Sequence, residues 1–590
     1  MYHSNPVTRA LQFKPYSIHS TAMPLLALTC VLLVACSGQL PDVPEVPALI
    51  EPAVTHPTAV TSEPRAPSLE HRTLRQEAEA LGLSVQEVRI ATLSDQGSAV
   101  AKLAMEDDHS SYYSGQQPNR EHYLDVVESS IKQVAMEPVS TFSIDVDTAA
   151  YSNLRRILTR DGRLPPHDAV RIEEMINYFD YDYGAPDSLS NPLAIHTEVM
   201  AAPWNPDNQL LLVGIKGFEQ PAAARPNANL VFLIDVSGSM QSPDKLGLVK
   251  TSLQLLVSQM TANDRIALVV YAGAAGVVLD STTADKQSEI MHALAALEAG
   301  GSTNGSAGIE LAYHIAEANK IEGGINRVII ASDGDLNVGV TSIDELKELI
   351  SKQRDNGVAL TTLGYGSGNY NYSLMEQLAD VGNGNASYID TLSEARKVLV
   401  EEMQSTLLTI AKDVKIQIEF NPAVVSEYRL LGYENRLLQQ EDFRNDKIDA
   451  GEIGSGHTVT ALYEISLHGS RGARLADSRY APTRAAATTA SISDEIAYVN
   501  IRYKLPAATA STEFGVAVAG TALTGDNAPA SNNIQFAAAV AGFGQLLQGG
   551  KYTNDWNYDQ LLQLARQSRG DDEHGYRSEM LKLVELARIL

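Results

Sequence analysis

The 590-residue chain contains only two cysteines, Cys30 and Cys36, so a disulfide network cannot hold its fold together. Aromatic residues make up only 6% of the chain. The sequence also lacks the His-Glu-x-x-His and Gly-x-Ser-x-Gly patterns and any cluster of Cys and His. These absences remove the usual signatures of zinc peptidases, serine hydrolases and thiol chemistry. After Cys36, no apolar run is long enough to span a bilayer as a helix.

Positive charge is scarce as well. The chain has 45 Lys and Arg against 72 Asp and Glu, a formal net charge of -27 at pH 7. Because nucleic-acid phosphates would be repelled, this balance argues against a nucleic-acid partner. The content of 44% hydrophobic and 20% charged residues is typical of globular proteins, and the length predicts several domains.

The N-terminal segment contains an apolar run over residues 23–35, which is too short for a transmembrane helix and typical of a signal-peptide core. The run ends in Leu-Val-Ala-Cys36, which resembles a bacterial lipobox, with Cys36 lipidated and becoming the mature N-terminus. Ser37 at the next position implies sorting to the outer membrane. An ordinary secretory signal is the alternative, but we expect a lipid-anchored protein of the cell envelope.

The most informative motif follows the apolar residues 229–234, which predict a fully buried strand of a parallel sheet. The chain continues as Asp235-Val-Ser237-Gly-Ser239, a turn that presents one carboxylate and two hydroxyls. Such hard oxygen donors suit Mg2+, which retains waters or accepts further ligands from elsewhere.

Two further oxygen donors occupy matching places downstream. Thr303 lies where a predicted helix begins, and Asp333 follows the apolar strand of residues 327–331. Ligand sites in doubly wound sheets lie at the carboxyl ends of the strands. If the strands that precede Asp235 and Asp333 are neighbours, the two carboxylates meet at this edge.

These residues resemble the von Willebrand factor type A domain and its metal-ion-dependent adhesion site, whose pattern is Asp-x-Ser-x-Ser, a distant Thr and a distant Asp. The resemblance implies that the metal is bound, directly or through water, by Asp235, Ser237, Ser239, Thr303 and Asp333. It implies Mg2+ as the cofactor, with Mn2+ or Ca2+ as alternatives. The open coordination position then takes a carboxylate from a protein partner.

The resemblance extends beyond the metal site. Residues 140–151 (Ser-Thr-Phe-Ser-Ile-Asp-Val-Asp-Thr-Ala-Ala-Tyr), 170–179 and 428–435 are similar to a bacterial lipoprotein group in which a type A domain has its own flanking regions. That group is similar in architecture to the so-called calcium-activated chloride channel homologues, a label that implies no pore here.

The predicted fold class is α/β, with a doubly wound, Rossmann-like type A domain inserted in or flanked by a β-rich domain and followed by C-terminal helices. The predicted boundaries are 1–36 signal peptide and lipobox, 37–137 disordered Pro-rich tether and weakly helical region, 138–228 N-terminal flanking α+β region, 229–412 type A domain, 413–505 C-terminal β-rich region and 506–590 C-terminal helical region. We also predict that 138–228 and 413–505 form one domain, with the metal face pointing away from it.

Two other acidic patterns have a structural interpretation. Asp145 and Asp147 invite comparison with the Asp-x-Asp-x-Thr motif of haloacid-dehalogenase phosphatases, but Thr148 falls one place early, which favours a half-buried strand. The acidic loop 441–452 lacks the regular spacing of an EF-hand and favours a solvated loop over a calcium site. Its acidic residues are Glu441, Asp442, Asp446, Asp449 and Glu452.

The sequence therefore predicts an envelope-anchored, Mg2+-dependent protein-binding module and no enzyme. One alternative is a metal-dependent hydrolase, for which Asp335 is the only obvious spare carboxylate near the site. Another is a structural envelope protein whose metal only rigidifies loops. The isolated histidines His292, His314 and His457 favour no catalytic role.

Overall fold

The computed structural model describes residues 120–144, 147–301, 305–334, 336, 342–448, 450–476, 494–524 and 529–590, all within one compact unit. The signal peptide and Cys36 lie outside these ranges, as do Asp145, Thr303, Asp335 and Asp449. No helix in the described ranges is both long and apolar enough to cross a membrane.

The strands form three sheets. The described strands are β1 Lys132–Gln133, β2 Val139–Ser143, β3 Leu193–Ala202, β4 Asn205–Gly217, β5 Ala228–Asp235, β6 Arg265–Tyr271, β7 Ala275–Thr283, β8 Ile325–Ser332, β9 Ala359–Tyr365, β10 Ala386–Ile389, β11 Thr409–Phe420, β12 Val425–Leu430, β13 Ile453–Gly454, β14 Thr458–Leu467, β15 Glu495–Lys504 and β16 Thr512–Ala519.

Helices cover these sheets. The described α-helices are α1 Ala149–Thr159, α2 Ile172–Asn177, α3 Leu248–Gln259, α4 Gln287–Ala295, α5 Gly305–Ala318, α6 Ile343–Asp355, α7 Tyr372–Val381, α8 Leu392–Arg396, α9 Met403–Leu407, α10 Thr521–Thr524, α11 Asn532–Leu547, α12 Tyr558–Ser568 and α13 Tyr576–Ile589.

The central sheet has the order β10-β9-β8-β5-β6-β7 and is parallel except for β7. The connection between β6 and β7 is too short for a crossover helix, so β7 pairs antiparallel with β6 at the edge of the sheet. Every residue of β5 is buried, because apolar cores lie on both faces of the sheet. Its neighbours are β8 and β6, so the ends of β5 and β8 lie side by side.

The other two sheets are built from both flanks of the central one. β2 and β4 precede it in the sequence; β2 pairs with β11, and β4 pairs with β14. Side chains from both sheets share one apolar core, which includes Phe142, Val213, Ile416 and Tyr463. These pairings confirm the prediction of one β-rich domain into which the central α/β domain is inserted.

A helical layer covers the outer face of the sandwich. α1 and α2 from the N-terminal flank pack with α11, α12 and α13 into a second core. In β14, Leu462 contributes to this helical core, whereas Ala461 and Tyr463 contribute to the sandwich core. β14 is therefore buried on both faces: nine of its ten residues are buried, including the polar Thr458, Thr460, Glu464 and Ser466.

The folded body begins earlier than the predicted tether allows. The backbone N–H of Arg120 donates to the carbonyl of Gly368 at 2.8 Å, and that of His122 donates to Tyr370 at 3.1 Å. β1 then pairs with β12. Residues 120–137 thus belong to the body, because non-local backbone pairing that no local pattern shows holds them there.

Two further expectations need correction. The predicted helical region 506–590 begins with strand β16, which pairs with β15. The metal face is also predicted to point away from the flanking domain. In the structure, part of that domain reaches the metal face, because Arg160 at the end of α1 forms an ion pair with Asp244 beside it.

Candidate metal site

Asp235 ends β5 and is fully buried. Its Oδ1 accepts from the backbone N–H of Ser237 at 2.8 Å. Its Oδ2 accepts from the Tyr271 hydroxyl at 3.2 Å and the Ser332 hydroxyl at 3.1 Å. Burial raises the pKa of Asp235 to about 6, with a further contribution from the charge of Asp333, while hydrogen bonds from Ser237 and Ser332 oppose the rise. A divalent cation would offset this cost of burying negative charge.

The two serine hydroxyls lie in the turn that follows. Ser237 precedes the 3-10 turn Gly238–Gln241, and its Oγ is 2.9 Å from the Oγ of Ser239. The Ser237 side chain lowers the pKa of Asp235 and the Ser239 side chain lowers the pKa of Asp333, so each hydroxyl favours the ionised form of one carboxylate. The hydroxyls therefore form a polar link between the two carboxylates.

The turn is fixed to the loop that leads towards Thr303. The N–H of Gly238 donates to the carbonyl of Gly301 at 3.0 Å, and the N–H of Gly300 donates to the carbonyl of Val236 at 2.7 Å. The described chain therefore reaches the turn just two residues before Thr303, although Thr303 itself lies outside the described residues.

Asp333 follows β8 directly and is also fully buried. Burial alone would raise its pKa, but the charge of Lys245 and hydrogen bonds from Asn369, Lys245 and Ser239 outweigh that effect and hold the pKa below its usual value. The lowered pKa favours the ionised, negatively charged form of Asp333. The structure brings four of the five residues of the sequence pattern together: Asp235, Ser237, Ser239 and Asp333.

The donor set suits a hard divalent cation. Two buried carboxylates and two linked hydroxyls supply oxygen atoms from adjacent strand ends, as Mg2+ prefers. Among the described residues, no group of three or more His, Cys, Asp or Glu side chains could hold a metal ion. A zinc-type or all-carboxylate centre therefore has no counterpart in these ranges, whereas this mixed site fits Mg2+.

Sequence patterns did not indicate Lys245 and Asn369. The Nζ of Lys245 donates to Asp333 Oδ2 at 2.9 Å and to Asn369 Oδ1 at 3.0 Å. Lys245 follows Ser242-Pro-Asp, a typical helix start, so its sequence position suggests an exposed helical lysine. Asn369 comes from the loop after β9, and only the fold brings it near.

The other acidic candidates have structural roles. The carboxylate of Asp147 accepts from the N–H of Ala386 at 2.7 Å and pairs with Arg436 at 3.2 Å, which attaches the flank to the central domain. In the acidic loop, Asp446 binds Arg502 and Ser511, and Glu452 accepts from Asn383. These contacts favour a structural loop over a calcium site. His292 and His314 are exposed.

Comparisons with known proteins agree with this architecture. The von Willebrand factor type A domain model matches residues 229–405, a von Willebrand factor model matches 117–212, and the model "Uncharacterized protein YfbK, C-terminal" matches 405–590. The uncharacterized protein YfbK of Escherichia coli (strain K12) is 46% identical over 476 residues, which cover 80% of this chain and 81% of the relative.

Two further similarities are more distant. Human inter-alpha-trypsin inhibitor heavy chain H3 is 29% identical over 260 residues, 40% of this chain and 28% of that protein. The solved structure of von Willebrand factor type A from Catenulispora acidiphila aligns at 16% identity with a TM-score of 0.39, over 69% of this chain and 91% of the other. On the near-full-length similarity to YfbK, the chain belongs to the YfbK family, whose central domain is a von Willebrand factor type A domain.

Proposed function

We propose that this protein is a cell-envelope protein that captures a protein partner through Mg2+ at its type A domain. The observation that carries the proposal is the convergence of Asp235, Ser237, Ser239 and Asp333 at the adjacent ends of β5 and β8. Domains of this type commonly mediate protein–protein interactions.

Each residue of the site has a distinct role in the proposal. Asp235 and Asp333 supply negative charge at fully buried positions, where water screens little. The hydroxyls of Ser237 and Ser239 orient the donor set, and Thr303 completes it. Bound Mg2+ would supply a Lewis-acidic position for a partner carboxylate. Because the site lies at a loop edge above a rigid sheet, it can meet a macromolecular ligand without a large rearrangement.

The location of the protein in the cell envelope is part of the same proposal. The lipobox-like Leu-Val-Ala-Cys36 and the following Ser37 support lipidation at Cys36 and retention at the outer membrane. The Pro-rich residues 37–67 would connect the lipidated Cys36 to the rest of the chain. The flanking regions support membership of the lipoprotein group that is similar in architecture to calcium-activated chloride channel homologues.

A capture experiment tests the proposal. The protein without its first 36 residues is immobilised and exposed to envelope extract with Mg2+ or with EDTA, next to an Asp235→Ala variant. We expect a partner that is retained only by the unsubstituted protein in Mg2+. Equal retention in EDTA and by Asp235→Ala would favour the structural alternative, in which the ion only rigidifies loops.

A further inference from the structure

Lys245 places a third charge beside the proposed metal donors. Its ammonium is 2.9 Å from Asp333 Oδ2, and its side chain is 9% exposed. Asn369 closes the group, because its Nδ2 donates to the same Asp333 oxygen at 3.0 Å while its Oδ1 accepts from Lys245. The pattern Asp-x-Ser-x-Ser, Thr, Asp has no place for a lysine.

The fold holds this lysine inward. Lys245 has φ -115° and ψ -107°, which interrupts the helical turn Pro243–Gly247. Its aliphatic stem lies against Gly366, at φ +75°, where a Cβ would overlap the stem carbons. The preceding residue, Asp244, forms an ion pair with Arg160 of the flank. A solvent-exposed lysine needs none of these features, and burying an ammonium is costly unless it meets a counter-charge.

The charges at the site then follow from simple addition. Asp235 and Asp333 carry two negative charges when ionised, and Lys245 carries one positive charge. The group is net negative by one charge before the cation binds and net positive by one charge afterwards. Without Lys245 the corresponding values are minus two and zero.

We propose that Lys245 sets the charge of the metal site, so that the site binds Mg2+ more weakly but becomes electropositive once loaded and thus selects anionic groups on a partner. This inference rests on the proposed function, because it assumes that Mg2+ binds at Asp235 and Asp333. Bound Mg2+ and the ammonium of Lys245 would both lie near Asp333. They repel each other strongly where the effective dielectric constant is about 20, and this repulsion weakens Mg2+ binding.

The test is a calorimetric titration of the folded protein with Mg2+ alone. Lys245→Met keeps the aliphatic stem on Gly366 and removes the charge, and we expect at least about tenfold tighter Mg2+ binding. Lys245→Arg retains the charge and is expected to stay near the affinity of the unsubstituted protein. Lys286→Met is the matched control, since it removes the charge of an exposed lysine in the same domain and is expected to change the affinity less than about twofold.

Thermal unfolding gives a second, independent result. In EDTA, Lys245→Met is expected to unfold at a lower temperature than the unsubstituted protein, because the two buried carboxylates lose the positive charge of the Lys245 ammonium. Saturating Mg2+ is then expected to raise its Tm by more than it raises that of the unsubstituted protein. If Lys245→Met does not fold, Lys245→Gln removes the charge while keeping a hydrogen-bond donor for Asp333.

The outcomes separate the two proposals. Mg2+ affinity of the neutral variants within twofold of the unsubstituted protein would overturn the role of Lys245 and leave the metal site standing. If neither the unsubstituted protein nor the neutral variants bind Mg2+, the metal site itself is wrong, and the role of Lys245 fails with it.

Discussion

The guanidinium of Arg155 in α1 forms an ion pair with the carboxylate of Asp390, the residue after β10, and its Nε donates to Oδ2 at 2.8 Å. Both side chains are 5% exposed. The same guanidinium bonds Glu394 at 2.8 Å and Glu579 of α13 at 2.7 Å. One arginine thus connects the N-terminal flank, the inserted domain and the last helix.

We predict that Arg155→Met lowers the free energy of unfolding by about 3–5 kcal/mol, because it leaves buried carboxylates without their cation. Urea unfolding followed by circular dichroism measures this change. Arg566→Met is the control, since its pair with Glu585 is exposed on both sides and should contribute less than about 1 kcal/mol. Equal effects of the two substitutions would contradict the assignment of a connecting role to Arg155.

Asp235→Ala is predicted to abolish Mg2+ binding and to leave a folded protein, because the residue ends a strand whose core packing does not depend on its carboxylate. Calorimetric titration reads the binding, and cooperative thermal unfolding reads the fold. Asp280→Ala removes the same charge from an exposed position of β7 and should bind Mg2+ normally. Normal affinity in Asp235→Ala would refute the site assignment.

Cys36→Ser is predicted to release the protein from membranes or to block its processing. Cys30→Ser is a matched control, because it changes the other cysteine within the same apolar run and leaves the lipobox-like residues intact. Fractionation and mass measurement of the mature chain check both. Membrane retention and normal maturation of Cys36→Ser would show that another anchor exists.

Stability is predicted to fall as the pH rises from about 5 to 8. Burial is the largest cause that raises the pKa of Glu174 and Glu434 to about 7 and that of Glu376 to about 8, well above the usual value for glutamate. In this window the folded chain retains protons that the unfolded chain has lost, so each such proton costs up to about 1.4 kcal/mol per pH unit as it is removed. The charged groups that act on these three carboxylates are Glu173, Arg171, Asp380 and Arg436.

Urea midpoints measured across that pH range test the sign. Glu376→Gln should flatten the decline, because it removes the group with the highest of the three pKa values. Glu289→Gln, at an exposed position of α4, should leave it unchanged. A midpoint that rises steadily from pH 5 to 8 would contradict the prediction.

The C-terminal fragment 413–590 is predicted not to fold by itself. In the whole protein its strand β14 pairs with β4 along eight residue pairs from Thr458 to Ile465, and β11 pairs with β2. Without these partners the fragment exposes unpaired strand edges and half of an apolar core. A cooperative thermal transition with dispersed amide signals from the isolated fragment would overturn this prediction.

Local patterns predicted the central domain well, because its strands are continuous apolar runs and its site residues follow two of them directly. The run before Asp235 fixes β5, and the run before Asp333 fixes β8. The same approach missed Lys245, which only loop packing brings to Asp333. It also missed the pairing of residues 120–122 with the loop after β9, since non-local backbone bonds leave no periodicity in the sequence.

The long separation of the paired flanks also constrains how the chain can fold. The Nζ of Lys216 at the end of β4 donates to the carbonyl of Gly456, 240 residues later. Closing such a loop as an unfolded coil carries an entropy penalty and slows folding. The inserted domain has its own cores, and the strands of its sheet pair only with one another. If the inserted domain folds first during synthesis, it shortens the unfolded loop between the two flanks. The sandwich then forms only after the ribosome has synthesised β11 and β14.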